Sequence, residues 1–336
     1  MKAVVLEGKG QVEVTDFPQP PMTDDSVKIR VAYCGLCGTD MHKFQGKGGS
    51  RPVKYPVPLG HEVSGVVEEV GKNVKNFKPG DRVAANPNWY CKTCHFCKIG
   101  LTHMCSNSKG VVKGFAEYIC PPEENVHKIP DSLPLKEAAL TEPLSCCLHG
   151  LDLLDVKIGQ TVAIIGLGSI GAMMLQLLKH SAASNIIVVE PIEEKREMAM
   201  KMGATLFLNP MKDDLKAEIE KAGIENVDRV MECVGFDTTM ETALDIAGKC
   251  ATVVLFGLGD PEKPVHLNQY AAFQKELTIK TSFTNPNTSE RAIALLSSGA
   301  LDTDALISKE MSMEEVVEEL KAPNYFKKGK VIVKID

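Results

Sequence analysis

No surplus of positive charge marks this sequence. Its 336 residues carry 38 Lys and Arg against 44 Asp and Glu, a net charge of −6. Neither nucleic acid nor an anionic membrane surface is an expected partner for such a chain. Blocks of like charge are also missing; Glu193, Glu194, Lys195 and Arg196 read as a solvated helix face. There is no internal repeat and no low-complexity stretch, so a repeat architecture is excluded. The opening run Met1-Lys-Ala-Val-Val-Leu-Glu7 is too short and too polar for a secretory signal. A cytoplasmic protein is expected. One uncharged stretch of 21 residues, 158–178, has bilayer-spanning length. Four glycines break it into a strand–turn–helix pattern, and no membrane span is expected there.

What is present suits a two-domain globular protein: 44% hydrophobic and 24% charged residues over a length large for one domain. Eleven cysteines would suggest disulfides in a small secreted chain. Here no export signal is seen, and four of the eleven fall between positions 91 and 105. Metal is the better explanation.

The first 140 or so residues are short strand-like runs punctuated by Gly and Pro, such as 27–32, 63–68 and 81–84. The texture changes near Pro143. From Thr161 onward apolar strands, at 161–165, 186–189, 205–208, 227–232, 251–256 and 277–282, alternate with helical segments. The clearest helices are 169–179, 193–202 and 238–248. That alternation predicts a parallel sheet with crossover helices, the α/β pattern of a dinucleotide-binding unit. The tail, Lys330-Val-Ile-Val-Lys-Ile335, returns to strand character.

Gly166-Leu167-Gly168-Ser169-Ile170-Gly171 follows a predicted strand and opens a predicted helix, the context this glycine pattern needs. Gly166 permits the tight turn, Gly168 lets a pyrophosphate approach the backbone, and Gly171 lets helix pack on strand. The helix N-terminus supplies free N–H groups. The second strand ends at Glu190, placed to accept both ribose hydroxyls. For unit charges roughly 4 Å apart at an effective dielectric of about 20, it would repel a 2′-phosphate by about 4 kcal/mol. NAD is therefore expected over NADP, although Lys195 and Arg196 could offset that repulsion. The turns Cys233-Val234-Gly235 and Gly257-Leu258-Gly259 fall at later strand ends, where the nicotinamide half should lie.

Cys91, Cys94, Cys97 and Cys105 can close a tetrahedral zinc shell with no position left for substrate. An iron–sulfur site would favour a shorter last gap followed by Pro, and a redox Cys-x-x-Cys leaves two cysteines unexplained. A structural zinc is expected. A second constellation, Cys37-Gly-Thr39-Asp40-Met-His42 with Gly60-His61-Glu62, offers a Cys, His and carboxylate set of the open, catalytic kind.

These segments, with Thr141-Glu142-Pro143 and the glycine loop, occur in the order seen in zinc-containing medium-chain dehydrogenases. Across nearly its full length the chain most resembles the sorbitol (polyol) and threonine dehydrogenase branch. The resemblance implies a GroES-like β-rich catalytic domain (1–143 and 285–336) interrupted by a Rossmann NAD-binding domain (144–284). It also implies two zinc ions per chain, a small-molecule alcohol as substrate, and a homodimer or homotetramer. Cys37, His61 and a carboxylate would hold the catalytic zinc, and the position that is a third Cys ligand in primary-alcohol enzymes is here Glu142. Whether Glu62 or Glu142 ligates directly is left open, and Cys146 and Cys147 match no ligand and read as packing residues. Thr39 would take the alcohol proton, with the cofactor ribose and His42 carrying it to solvent. Zinc lowers the pKa of a bound water from 15.7 to about 7; an equal effect on an alcohol would be roughly 12 kcal/mol.

Two positions depart from polyol dehydrogenases: Lys43 replaces an aromatic or apolar residue after the relay histidine, and Thr284-Asn285 stands where an Arg is common after Phe283. The basic set Lys43, Lys47, Arg51 and Lys54 reads either as a solvated loop or as a site for a phosphorylated sugar alcohol. Threonine oxidation is the alternative reaction. A non-catalytic NAD(H)-sensing zinc protein is the alternative class, and a zinc-free quinone reductase is disfavoured by the ligand residues.

Overall fold

Alternating apolar residues build the first sheet. A computed structural model describes residues 1–47, 52–322 and 329–335; Arg51 lies outside them. The strand Val27–Leu36 buries Val27, Ile29 and Val31 on one side, as the two-residue period of a strand requires. It pairs antiparallel with Glu62–Val70, and that strand with Arg82–Ala85. On its other edge it receives Lys330–Lys334 from the far end of the sequence. Val126–Lys128 and Ile307–Met311 complete the outer path, and Tyr118–Ile119 joins Val27–Leu36. The strands Lys2–Gly8, Gln11–Asp16 and Val57–Pro58 form a smaller sheet. Leu6, Ile29, Val83, Phe115 and Val331 fill the core beneath. A two-stranded ribbon, Asn88–Trp89 against Lys109–Gly110, carries the four-cysteine lobe.

The chain divides into two compact units, one made of Met1–Cys146 and Thr284–Asp336, the other of Cys147–Phe283. The expected divisions were after Pro143 and after Thr284. The first division falls later because the helix Thr141–Leu154 runs unbroken through Pro143, which its early helical position tolerates.

The second unit is a six-stranded parallel sheet in the spatial order Leu206–Leu208, Asn185–Val189, Thr161–Ile165, Arg229–Glu232, Thr252–Leu255, Thr278–Thr281. In sequence terms that is 3-2-1-4-5-6. The order reverses between Thr161–Ile165 and Arg229–Glu232, the place where a doubly wound sheet opens a crevice. Thr161–Ile165 is buried throughout, as a central strand covered on both faces should be. The uncharged stretch 158–178 resolves into this strand, the glycine turn and the helix Ser169–Lys179. Among the described residues no helix is long and apolar enough to cross a membrane. The expected helix 193–202 begins as a 3-10 turn, Glu193–Lys195, before Arg196–Met202. Its start is tightened because Glu190 Oε1 takes the Ile192 N–H.

Candidate active site

The four sulfurs of Cys91, Cys94, Cys97 and Cys105 lie within 4.8 Å of one another, and none forms a disulfide. A tetrahedral shell with Zn–S near 2.3 Å puts sulfurs about 3.8 Å apart; Cys91 and Cys105 stand at 3.5 Å. Backbone amides already point at them: Cys94 N–H at Cys91 and Asn107 N–H at Cys105, each at 3.4 Å. The Asn107 side-chain amide, with Thr93 and Cys94, draws the Cys91 thiol down to about 5. Desolvation and the adjoining Cys94 and Cys105 push Cys97 up to about 12. One thiolate is favoured and its neighbour resisted, a conflict that a bound cation removes. The donor set fits zinc and leaves no vacancy.

A second set joins Cys37, His61 and Glu62, whose ligand atoms also lie within 4.8 Å of one another. Each is held locally. Cys37 caps the helix Gly38–Phe44, and its N–H bonds Asp40 Oδ2 at 3.2 Å. Asp40, fully buried, accepts the Gly60 N–H at 3.0 Å through Oδ1, which stands 3.6 Å from His61 Nδ1. Burial opposes its charge, yet His61, Lys43 and the Gly60 amide hold Asp40 at about 2. Desolvation likewise opposes a charged His61, but Asp40 and Cys37 raise its pKa well above the usual value. The pocket therefore favours a cation at His61, and a metal ion meets the same demand. Asp40 faces His61 as a buried counter-charge rather than as a hydrogen-bond acceptor.

Glu62 is fully buried beside a residue that sequence reasoning missed. Lys330 Nζ pairs with Glu62 Oε2 and donates to Leu36 O at 3.0 Å. Beyond that ion pair neither Glu62 oxygen has a hydrogen-bond partner. A carboxylate tied at one oxygen and bare at the other suits a metal ligand. The only signal for Lys330 was a charged residue opening the apolar run 330–335. Glu142 stands outside the 4.8 Å set. Its Oε1 accepts from the Cys146 thiol at 3.6 Å, so Cys146 faces this carboxylate instead of serving only as packing; Cys147 is buried. Burial raises the Glu142 pKa, with His61 acting against it. Thr39 and His42 share the short helix of Asp40, both half-buried.

In the second unit Gly166 adopts φ +88°, and a Cβ there would meet Val234 Cγ2 at 2.3 Å. A Cβ on Gly171 would lie 1.9 Å from Gly166 O, whereas one on Gly168 would meet nothing within 4 Å. Gly168 thus fronts open space at the N-terminus of Ser169–Lys179, a cradle that fits a pyrophosphate. Glu190 is buried and turned onto this loop. Its Oε2 accepts Leu167 N–H at 2.7 Å and stands 3.5 Å from Lys195 Nζ, which donates to Leu167 O at 2.9 Å. Arg196 is occupied elsewhere, bonded to Phe207 O and stacked 4.5 Å over the Phe207 ring.

Glu232 is a further residue without an earlier signal. Its buried Oε1 accepts the N–H groups of Val234 and Gly235 and the Thr239 hydroxyl, each at 2.8 Å. It shapes the turn carrying Cys233 and Val234. Gly257 packs against Gly235 so closely that a Cβ would sit 2.2 Å from its nitrogen. Val234 and Leu258 are exposed beyond these strand ends. Asn285 proves fully buried, with both ends of its amide engaged inside the first unit, so it does not stand in for a substrate-facing Arg.

Two family signatures match this chain: "Alcohol dehydrogenase GroES-like domain" over residues 23–131 and "Zinc-binding dehydrogenase" over residues 169–298. The chain belongs to the zinc-containing medium-chain dehydrogenases, with a GroES-like unit and a Rossmann unit. Its relatives place it in the polyol dehydrogenase branch. It is 33% identical to sorbitol dehydrogenase of Bacillus subtilis, covering 97% of this chain and 94% of that protein. It is 35% identical to D-arabitol-phosphate dehydrogenase of Enterococcus avium, covering 94% and 92%. A solved structure from Sinorhizobium meliloti, described as a zinc-binding dehydrogenase bound to NADP, superposes with a TM-score of 0.93 at 34% identity, covering 99% and 98%.

Gly168 and Gly171 should separate binding from packing. Gly171→Ala should lower stability by about 1–3 kcal/mol through overpacking. Gly168→Ala should leave the melting temperature unchanged while weakening NADH binding, read by fluorescence titration. Lys330→Met strands the buried Glu62 charge and should cost about 3–5 kcal/mol in denaturant unfolding, less when metal is bound.

Proposed function

We propose that this protein is a zinc-dependent dehydrogenase oxidising a secondary hydroxyl of a polyol or polyol phosphate with NAD. The observation that carries this reading is the presence on one chain of a closed four-thiolate set and an incomplete Cys37, His61, Glu62 set. Only the second leaves a coordination position for a substrate. Zinc, when bound, supplies Lewis-acid polarisation of the alcohol oxygen, and NAD supplies the hydride acceptor. Cys37, His61 and Glu62 would hold the metal. Asp40 supplies the counter-charge facing His61, Lys330 fixes Glu62, and Glu142 would act through a water. Thr39 and His42, three residues apart on one helix, share a face. The Thr39 hydroxyl would take the substrate proton while giving up its own, and the His42 imidazole would release a proton to solvent.

The cofactor preference rests on Glu190, Lys195 and Arg196. A carboxylate at the ribose strand end disfavours a 2′-phosphate, and both nearby cations are already committed. The NADP bound in the Sinorhizobium meliloti relative makes a direct comparison of the two cofactors necessary. A phosphorylated substrate is supported by Lys43, whose charge is felt at Asp40 beside the metal set. The Enterococcus avium relative, named for a polyol phosphate, points the same way.

The decisive assay follows NADH formation by zinc-replete protein with sorbitol, xylitol, polyol phosphates, threonine and simple alcohols, against NAD and NADP. A polyol or its phosphate should turn over at least about tenfold better with NAD, a margin of roughly 1.4 kcal/mol. Lys43→Ala should then raise KM for the phosphate by about the same factor and leave the neutral polyol nearly untouched. Equal effects on both would remove the phosphate from the reading. Turnover of threonine alone would replace the polyol, and tight NADH binding without any turnover would favour a sensor.

We also infer a homodimer formed through the second unit. Thr278–Thr281 ends its sheet, and Leu267, Tyr270, Phe273 and Ile279 are exposed around that edge, Phe273 by 73%. A strand edge flanked by exposed apolar side chains invites a second copy in isologous pairing. In sedimentation, Phe273→Asp with Ile279→Lys should halve the mass of the species; an unchanged mass would place the interface elsewhere.

A further inference from the structure

A buried chain of side-chain hydrogen bonds runs from the base of the four-cysteine lobe to the turn that carries Glu142. Asn88 opens the ribbon strand that leads to Cys91. Its Nδ2 donates to Asn285 Oδ1 at 2.9 Å. Asn285 Nδ2 donates to Ser145 Oγ at 2.7 Å, and Ser145 Oγ donates to Glu142 O at 2.6 Å. Thr288 Oγ1 grips Ser145 O at 2.7 Å. At the other end Asn125 Nδ2 clamps the carbonyls of Asn86 and Asn88, both at 2.9 Å. Asn88, Asn125, Ser145, Asn285 and Thr288 are all buried, Ser145 and Asn285 completely.

The direction of this chain is fixed. Ser145 has one hydroxyl hydrogen, which goes to Glu142 O, so it can only accept from Asn285. Asn285 must then turn Nδ2 to Ser145 and Oδ1 to Asn88. The segment bearing Asn285 holds left-handed backbone at Thr284 (φ +57°) and Asn287 (φ +55°), positions that persist only when their surroundings over-determine them. No member of the chain belongs to the Cys37, His61 and Glu62 set, and its last, Glu142, which stands just outside that set, is gripped by the backbone.

We propose that Asn285 is a positioning residue that couples the four-cysteine lobe to Glu142, so that the lobe's metal sets the geometry of the open metal centre as well as the fold. The coupling rests on the proposed role of Glu142, which acts on that centre from outside its ligand set. Directional amide and hydroxyl groups transmit displacement where apolar contacts would slip, and outer-layer partners of a metal centre are commonly worth 10–100-fold in metal affinity or activity.

The test uses the full chain with cobalt(II) exchanged into the open site while zinc stays in the closed one. Cobalt's visible absorption bands report ligand geometry, and a chelator titration gives its affinity. Asn285→Asp keeps the volume but replaces the donor facing Ser145 with an acceptor. It should shift the bands, weaken cobalt binding about tenfold and lower kcat while leaving KM for NAD unchanged. Ser145→Ala, a milder deletion, should shift the bands in the same direction if Asn285→Asp fails to fold. Cys94→Ser, which empties the lobe, should shift them too, and by less when added to Asn285→Asp than alone. A lower melting temperature with unmoved bands and unchanged cobalt affinity would overturn the coupling and leave a purely structural network. Glu142→Gln separates the two readings. If it moves the bands and Asn285→Asp does not, the coupling alone fails; if Glu142→Gln leaves them unmoved, the placement of Glu142 at the centre and the coupling fail together.

Discussion

One buried ammonium joins the end of the sequence to its metal-binding beginning. Lys330 Nζ reaches Glu62 on one side and Leu36 O on the other, and Leu36 immediately precedes Cys37. Both segments of the open metal set are thus fixed by one cation carried on the returning strand Lys330–Lys334, which pairs with Val27–Leu36. Burying Lys330 and Glu62 is expensive in itself, and such a pair adds little net stability over an apolar one. Its value is geometric. It leaves Glu62 one oxygen bound and one bare, and makes the metal set depend on completion of the sheet. Glu62 also lies so close to Gly35 that any Cβ there would collide with its carboxylate.

The two metal sets divide the chemistry by donor type. Four thiolates on a lobe with few buried apolar side chains would close a shell around a metal, which would supply what a core otherwise provides. The mixed set sits instead on the rigid sheet and a capped helix, surrounded by Asp40, Glu142 and Lys330. Those charges leave the pocket selective for a cation at His61 without filling every ligand position. Rigidity comes from the sheet, openness from the short supply of ligands.

How much of this was legible in sequence follows from the range of each interaction. The glycine loop, the cysteine spacing and the strand–helix alternation are local, and the helix Ser169–Lys179 and strand Thr161–Ile165 lie where the pattern put them. The residues that support the site are not local. Lys330 meets Glu62 across 268 positions, and Asn285 meets Asn88 across 197. No periodicity reports such a meeting. Glu190 was readable as a carboxylate at a strand end, but not its turn onto Leu167 N–H, because that depends on where Lys195 lands. Cys146 was misjudged for a related reason: a thiol one helical turn from Glu142 is ordinary packing until the helix is seen to begin at Thr141 and direct both side chains the same way.

Inserting one unit into another constrains the place where the chain leaves and returns. An inserted domain is tolerated when its two ends lie close together on the host. Here the chain leaves the first unit after Cys146 and re-enters at Thr284. The flanking residues Ser145 and Asn285 are joined by a 2.7 Å hydrogen bond, and Thr288 holds the Ser145 carbonyl. The polar residue at position 285 is therefore accounted for by the host unit's own closure. An Arg side chain at that buried amide would have to displace Asn88 and Ser145 together. The departure noted at Thr284-Asn285 thus coincides, at Asn285, with the hydrogen bonds that close the insertion in this chain. On the proposed function, a phosphate on the substrate would be met by Lys43, in the helix that carries Asp40, Thr39 and His42.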